Sequence, residues 1–171
     1  AFLMRENSVS DVIIRLACKN DTSVLCQILN EVIKRGGTTA LETMLSEEDF
    51  ANYFLRGKNH ICCYIAQTRK GDIAGFQALA HHPELPRDWA DIATFAKIRP
   101  RVYGIGKSLF TNSIAFLKTT EINTINATIR ADNSSGLTFY NKLGFQSYKV
   151  DKDVPLNDGT PVDRISHSLP L

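Results

Sequence analysis

Hydrophobic and polar positions alternate between two periods along this chain. Val12-Ile13-Ile14-Arg15-Leu16 is a β-branched run that predicts a first strand. Asn20 and Asp21 then offer helix caps ahead of Val24, Leu25, Ile28, Leu29 and Val32, which repeat at helical spacing until Gly36-Gly37 ends the helix. Ser46-Glu47-Glu48-Asp49 has capping-box form and predicts a second short helix, carrying Phe50, Tyr53 and Phe54 and running to Arg56 before Gly57. Ile61 to Thr68 and Ile73 to Leu79 read as a β-hairpin around Arg69-Lys70-Gly71-Asp72. A proline-containing loop, residues 81–88, leads to a central strand at Asp91-Ile92-Ala93-Thr94-Phe95-Ala96. Leu109, Phe110, Ser113, Ile114 and Leu117 then mark one face of a long helix. A strand at Ile122 to Ile129 follows, then a short helix beginning at Asp132 or Asn133. Closing strands at Phe145 to Val150 and Val162 to Leu169 flank an Asn157-Asp158-Gly159 turn.

Composition narrows the class. At 171 residues and 43% hydrophobic, residues 11–171 suit one domain with a substantial core, and residues 1–10 form an N-terminal extension whose part before Met4 is consistent with a cloning remnant. Twenty basic against 18 acidic residues, with no long run of either sign, argues against a nucleic-acid or membrane-surface partner. Ala1-Phe2-Leu3-Met4 is too short and too soon polar for a signal peptide, and no apolar run reaches spanning length, so a cytoplasmic protein is expected. Cys18, Cys26, Cys62 and Cys63 lack metal or disulfide spacing and read as small, reduced core residues.

The chemistry concentrates at Arg101-Val102-Tyr103-Gly104-Ile105-Gly106, between the central strand and the long helix. Gly104 and Gly106 permit a tight turn and a close ligand approach. The helix that follows would aim free N–H groups at an anion, with Arg101 and Lys107 adding charge. A Walker loop fails because its first glycine would fall on Arg101, and a dinucleotide fingerprint fails because its third would fall on Leu109. A plain tight connection remains open.

The hexapeptide resembles the Q/R-x-x-G-x-G/A loop of the Gcn5-related N-acetyltransferase (GNAT) family. Downstream, Asn133, Tyr140, Gly144 and Phe145 fall on the family pattern V-x-x-x-N-x-x-A-x-x-x-Y-x-x-x-G-F, with Gly136 in place of the alanine. The resemblance implies an α/β fold: a mixed, mostly antiparallel twisted sheet flanked by helices, with a splayed central strand pair. It implies acetyl-CoA as cosubstrate, no metal, and cofactor contacts from Thr94, Phe95, Ala96, Arg101, Val102, Tyr103, Gly104, Ile105, Gly106, Lys107 and Asn133. Tyr140 aligns with the tyrosine that meets the coenzyme A sulfur. Asp91 aligns with a central-strand carboxylate that serves as base, here one methylene shorter and suited to a water relay. Plainer alternatives stand beside these roles: Tyr140 as a helix anchor, Asn133 as a helix cap and Asp91 as a solvated strand-end carboxylate. Glu84 and His82 are reserves for the base, while His60 and His167 have no identifiable partners.

The expected reaction is acetylation of a primary amine, of a small molecule or amino acid, by direct attack in a ternary complex; a homodimer is plausible from the resemblance. The first helices loosely resemble the branch that acts on amino acids and phosphinothricin-like compounds. The alternatives are a noncatalytic acyl-CoA-binding regulatory domain, a protein N-acetyltransferase and, less consistent with the loop, a nucleoside-triphosphate enzyme.

Overall fold

The computed structural model describes residues 11–171, so the N-terminal extension at 1–10 lies outside the described residues. Seven strands form one sheet: β1 (Val12–Leu16), β2 (His60–Thr68), β3 (Ile73–Ala80), β4 (Trp89–Ala96), β5 (Thr124–Arg130), β6 (Gln146–Pro155) and β7 (Pro161–Pro170). Their order across the sheet is β1-β2-β3-β4-β5-β7-β6, and every neighbouring pair is antiparallel except β4 with β5. The helices are α1 (Thr22–Arg35), α2 (Glu47–Phe54), α3 (Ile105–Leu117) and α4 (Ser134–Lys142).

The one parallel pair is short. β4 and β5 share register only at Trp89↔Thr124, Ala90↔Ile125 and Asp91↔Asn126, whereas β3 follows β4 as far as Gly75↔Ala96 and β7 follows β5 to Arg130↔Arg164. Beyond Asp91 the two central strands part. This is the expected splay, and it opens the middle of the sheet.

Alternation along the strands divides the core in two. One layer packs α1 and α2 against Cys63, Ile65, Phe76 and Phe95. Its rings interlock, Phe50 and Phe54 meeting Phe76 edge-on at 5.6 and 5.8 Å. On the other face, α3 and α4 cover Cys62, Leu79, Ile92, Ile125 and Ala127. Cys62 and Cys63 thus point to opposite faces, as strand alternation requires. Where β3 faces β4, a Cβ on Gly75 would press on the Phe95 carbonyl oxygen and on Ile105 Cδ1, so the smallest residue lets α3 close on the sheet.

Local details differ from the sequence expectation. Strand β4 starts at Trp89, β5 starts at Thr124 and β6 runs on to Pro155, and Cys18 is exposed and not in the core. The first two helices depart in face, cap and end. The buried stripe of α1 is Leu25, Cys26, Ile28, Leu29 and Ile33, with Val24 left outside at 43% exposure, because the helix is turned slightly from the predicted face. The carboxylate of Asp21 does not cap α1; it accepts two 2.9 Å hydrogen bonds from the Arg15 guanidinium and one of 2.8 Å from Cys18 N–H. Helix α2 is capped as expected, Ser46 Oγ accepting from Asp49 N–H, but it stops at Phe54 rather than Arg56. There the N–H groups of Leu55 and Arg56 both fall back on the Ala51 carbonyl, and Gly57 takes φ +101°.

Candidate active site

Strand β4 is the axis of the site. Alternation sends Asp91, Ala93 and Phe95 toward α1 and α2, and Ala90, Ile92, Thr94 and Ala96 toward α3 and α4. A cavity of about 1200 Å³ runs past this strand and through the splay. Every predicted site residue lines it: Asp91, Thr94, Phe95, Ala96, Arg101 to Lys107, Asn133 and Tyr140.

At one end lies the loop before α3. Gly104 is its N-cap residue at φ +82°, a left-handed conformation that glycine adopts without strain. The first-turn N–H groups of α3, which a helix leaves unpaired, belong to residues lining the cavity. Lys107 and Arg101 are exposed at the same mouth, the Arg101 guanidinium standing 5.3 Å from the Tyr103 ring centre. Val102 and Ile105 instead bury their side chains in the core, leaving their backbone for a ligand. Gly106 lies flush against Phe139, whose ring a Cβ would meet at 2.7 Å. A turn with two glycines, two side chains buried away from the mouth, free amides and two cations fits a pyrophosphate.

Along β4 the side chain of Phe95 is committed to the aromatic core and its backbone is paired with Phe76 of β3, so of the three predicted strand contacts only Thr94 and Ala96 turn their amides to the gap. Tyr140, on the covered face of α4, is buried, yet it lines the cavity. Its hydroxyl shares a 3.0 Å hydrogen bond with Thr94 Oγ1. Burial pushes its ionisation well above the usual tyrosine value, which keeps the phenol protonated, with the Thr94 bond opposing and Asp91 adding slightly. Gln77 also donates Nε2–H to Thr94 Oγ1 at 3.0 Å, and Ser113 Oγ–H donates to Gln77 Oε1 at 2.6 Å. An amide buried without partners would cost about 1–3 kcal/mol, so this pairing is what makes Gln77 tolerable in the core.

On the opposite face of β4, Asp91 Oδ1 accepts a 2.9 Å hydrogen bond from Asn126 Nδ2–H. Asn126 is itself buried; it donates to Thr128 Oγ1 at 3.1 Å and accepts from the Tyr148 hydroxyl in a short bond. The Trp89 ring stands edge-on to Tyr148 at 5.8 Å. Burial raises the ionisation of Asp91, while Asn126 and the charge of His82 pull it back down.

Asn133 has two partners already. Its side-chain oxygen accepts from Gly136 N–H at 3.0 Å, capping α4, and its Nδ2 donates to the Thr38 carbonyl at 2.8 Å. Arg130 likewise reaches across to the Thr39 carbonyl at 3.1 Å while paired with Asp132 at 2.7 Å. The segment between α1 and α2 is thereby pinned along the cavity wall. Of the reserves for the base, His82 lines the cavity, its Nδ1 accepting from Glu84 N–H at 3.1 Å, but Glu84 does not. His60 lines it too, whereas His167 sits in β7 away from it with Nδ1 unpartnered among the described residues.

No cysteine lines the cavity among the described residues. All four are free thiols, and burial pushes Cys62 up to about 12 and Cys63 higher still. Among the described residues no group of three or more His, Cys, Asp or Glu could hold a metal ion, and no helix is long and apolar enough to cross a membrane.

The profile of the Acetyltransferase (GNAT) family matches residues 28–145, from inside α1 to the residue before β6. The chain belongs to the GNAT family. Its architecture is that of solved GNAT-fold proteins at low sequence identity. An N-acetyltransferase from Staphylococcus aureus Mu50 superposes with a TM-score of 0.82 at 18% identity, covering 93% of this chain and 98% of the other. A phosphinothricin acetyltransferase of the GNAT superfamily from Sinorhizobium meliloti, solved with AcCoA, gives 0.82 at 20%, covering 94% and 89%. A ribosomal-protein-alanine N-acetyltransferase from Brucella melitensis gives 0.79 at 20%, covering 93% and 99%. No curated protein matches the chain significantly by sequence.

Within this GNAT fold the sequence reading missed Gln77, Ser113, Asn126 and Tyr148. A signal existed for the first two: a glutamine inside the apolar run Ile73–Ala80, and a serine on the apolar face of α3. For Asn126 and Tyr148 there was none, because their contact depends on β6 and β7 folding back beside β5.

Proposed function

We propose that the protein transfers an acetyl group from acetyl-CoA to a primary amine of a small molecule or amino acid, by direct attack in a ternary complex. The observation that carries this reading is that Asp91 and Tyr140 border one cavity from opposite faces of β4. One is a carboxylate held by a single donor; the other is a phenol kept protonated by burial.

Acetyl-CoA, when bound, supplies the thioester that the amine attacks. The chain supplies the rest. Residues 101–107 hold the pyrophosphate on loop and helix amides, with Arg101 and Lys107 balancing its charge. The backbone amides of Thr94 and Ala96, which face the gap left by β5, serve the pantetheine arm and the acyl oxygen, while the amide of Phe95 stays paired with Phe76 in β3. Asp91, directly or through one water, takes the proton that makes the amine neutral. Tyr140 meets the sulfur as it leaves.

The family and the AcCoA-bound Sinorhizobium meliloti neighbour support the choice of cosubstrate, and that neighbour's being a phosphinothricin acetyltransferase supports a small acceptor. The likeness to the Brucella melitensis enzyme favours a second reading, a protein N-terminus as acceptor. The first experiment is thermal unfolding with acetyl-CoA, ATP or NAD, since specific binding raises the midpoint by mass action. Stabilisation by acetyl-CoA alone supports the reading, and a shift with ATP alone overturns it. Coenzyme A release with panels of amino acids, other small amines and alanine-ended peptides then separates the acceptors; tight binding without acceptor-dependent release would indicate a binding domain. Tyr140→Phe should lower turnover roughly 100-fold while leaving acetyl-CoA affinity nearly unchanged. A homodimer is part of the proposal, checked by sedimentation.

A further inference from the structure

The buried polar chain that ends at Tyr140 has a direction. Gln77 and Ser113 are fully buried, one in the middle of β3 and the other on the covered face of α3. Ser113 gives its hydrogen to Gln77 Oε1, and Gln77 gives an amide hydrogen to Thr94 Oγ1. The Thr94 oxygen is therefore already an acceptor, and its own hydrogen needs a destination. Tyr140 Oη, 3.0 Å away, is that destination; among the described residues Thr94 Oγ1 has no other hydrogen-bond partner besides Gln77. With Thr94 donating, the Tyr140 oxygen is the acceptor and the phenolic hydrogen is left over, on a residue that lines the cavity. The reverse polarity would spend the phenolic hydrogen on Thr94 and turn the threonine hydrogen into the cavity instead, since Thr94 is only half-buried and lines the same wall. Thr94 would then act on a ligand independently of Tyr140, which the double variant below tests.

We infer that Ser113, Gln77 and Thr94 form a positioning chain that turns the Tyr140 hydroxyl hydrogen into the cavity, toward the sulfur of coenzyme A. The inference rests on the acetyl-transfer reading. As the carbon–sulfur bond breaks, its electron pair settles on sulfur, and the outward O–H donates a hydrogen bond to that thiolate, which takes a solvent proton on release. Gln77 and Ser113 touch no ligand; they act through Thr94.

The same hydrogen bond should stabilise the thiolate of bound coenzyme A, which gives a measurement needing no acceptor. The thiol of enzyme-bound coenzyme A is titrated by the ultraviolet absorbance of its thiolate. Tyr140→Phe should raise the thiol pKa by about one unit or more relative to wild type. Thr94→Val, close in shape but without the hydroxyl, should raise it in the same direction, and Thr94→Ser should recover most of the change. Gln77→Met, which keeps bulk and loses the amide, should act like Thr94→Val. In the Tyr140→Phe background, Thr94→Val should add nothing.

An unmoved thiol in Thr94→Val, or a shift that persists in the Tyr140→Phe background, overturns the chain while leaving the role of Tyr140 intact. A thiol that Tyr140→Phe does not move overturns the role of Tyr140 and the chain with it but not acetyl transfer, whereas coenzyme A that does not bind the wild-type protein overturns the reading of the reaction.

Discussion

Asn126 controls the carboxylate that the proposed base depends on. It donates to one oxygen of Asp91 and is itself fixed by Tyr148, so the second oxygen of Asp91 is left for the acceptor or a water. The other ionisable neighbours acting on Asp91 are His82 from the 81–88 loop, Tyr53 from α2 and Tyr140 from α4. A hydrogen bond to a carboxylate favours its charged form, so removing the donor must raise the pKa of Asp91. A base works when deprotonated. Asn126→Ala should therefore move the acidic limb of the kcat/KM profile to higher pH, and a limb that stays in place would count against Asp91 as the base. Gly136 carries a related lesson. The family pattern has alanine there, yet a Cβ at this position would collide with the Asn133 side chain that caps α4. The sequence showed both possible roles of Asn133, a helix cap or a ligand contact, and the cap is the one whose hydrogen bonds the structure contains.

At the level of elements, two junctions can be tested. The turn from β1 to α1 is held by Arg15 and Asp21, whose carboxylate is drawn down to about 2, first by the Arg15 hydrogen bonds. A depressed carboxylate contributes its stability above the unfolded value near 3.8, and loses it as pH falls through the folded value. Asp21→Asn should cost no more than about 2 kcal/mol at neutral pH, a difference that fades between about pH 4 and pH 2 in urea unfolding. Gly75 sits where β3, β4 and α3 converge. Gly75→Ala should destabilise by about 2 kcal/mol, since the obstacle includes the Phe95 carbonyl and backbone has little room to yield. These junctions also mark what the sequence disclosed. Element types followed from apolar period and caps, but the face of α1 was misjudged at Val24, since a stripe read from spacing does not fix rotation on the sheet. The end of α2 depended on how Gly57 turned, and the polar pair Gln77 and Ser113 on contact between β3 and α3.

For the molecule as a whole, the sheet is a partition with an opening at its centre. The cavity that uses this opening has Arg35, Arg56, Lys58, Arg101, Lys107, Arg130 and Arg164 on its wall, and Asp91 is the only carboxylate there among the described residues. Two of the cations are spoken for in the proposed cofactor mouth, and Arg130 is paired with Asp132. The rest, with Arg35, Arg56 and Lys58 exposed, place an excess of positive charge along the cavity wall, although the full chain carries a formal charge of only +2. Strand order and this concentration of charge were hidden in the sequence, because both arise from segments far apart in the chain. The cradle was visible, because its residues are consecutive.

The divergence of β4 from β5 past Asp91 also sets a clock on the backbone. The main-chain amides of Thr94 and Ala96, which would have been locked into a ladder at full sheet length, instead face a cavity open to water. Their protons should trade with deuterated solvent far sooner than those of β3, which is flanked by paired strands on both sides. Added acetyl-CoA should slow that trade in residues 92–96 and 101–107 above all, so mass spectrometry of peptic fragments would report occupancy of the gap without any chemistry taking place.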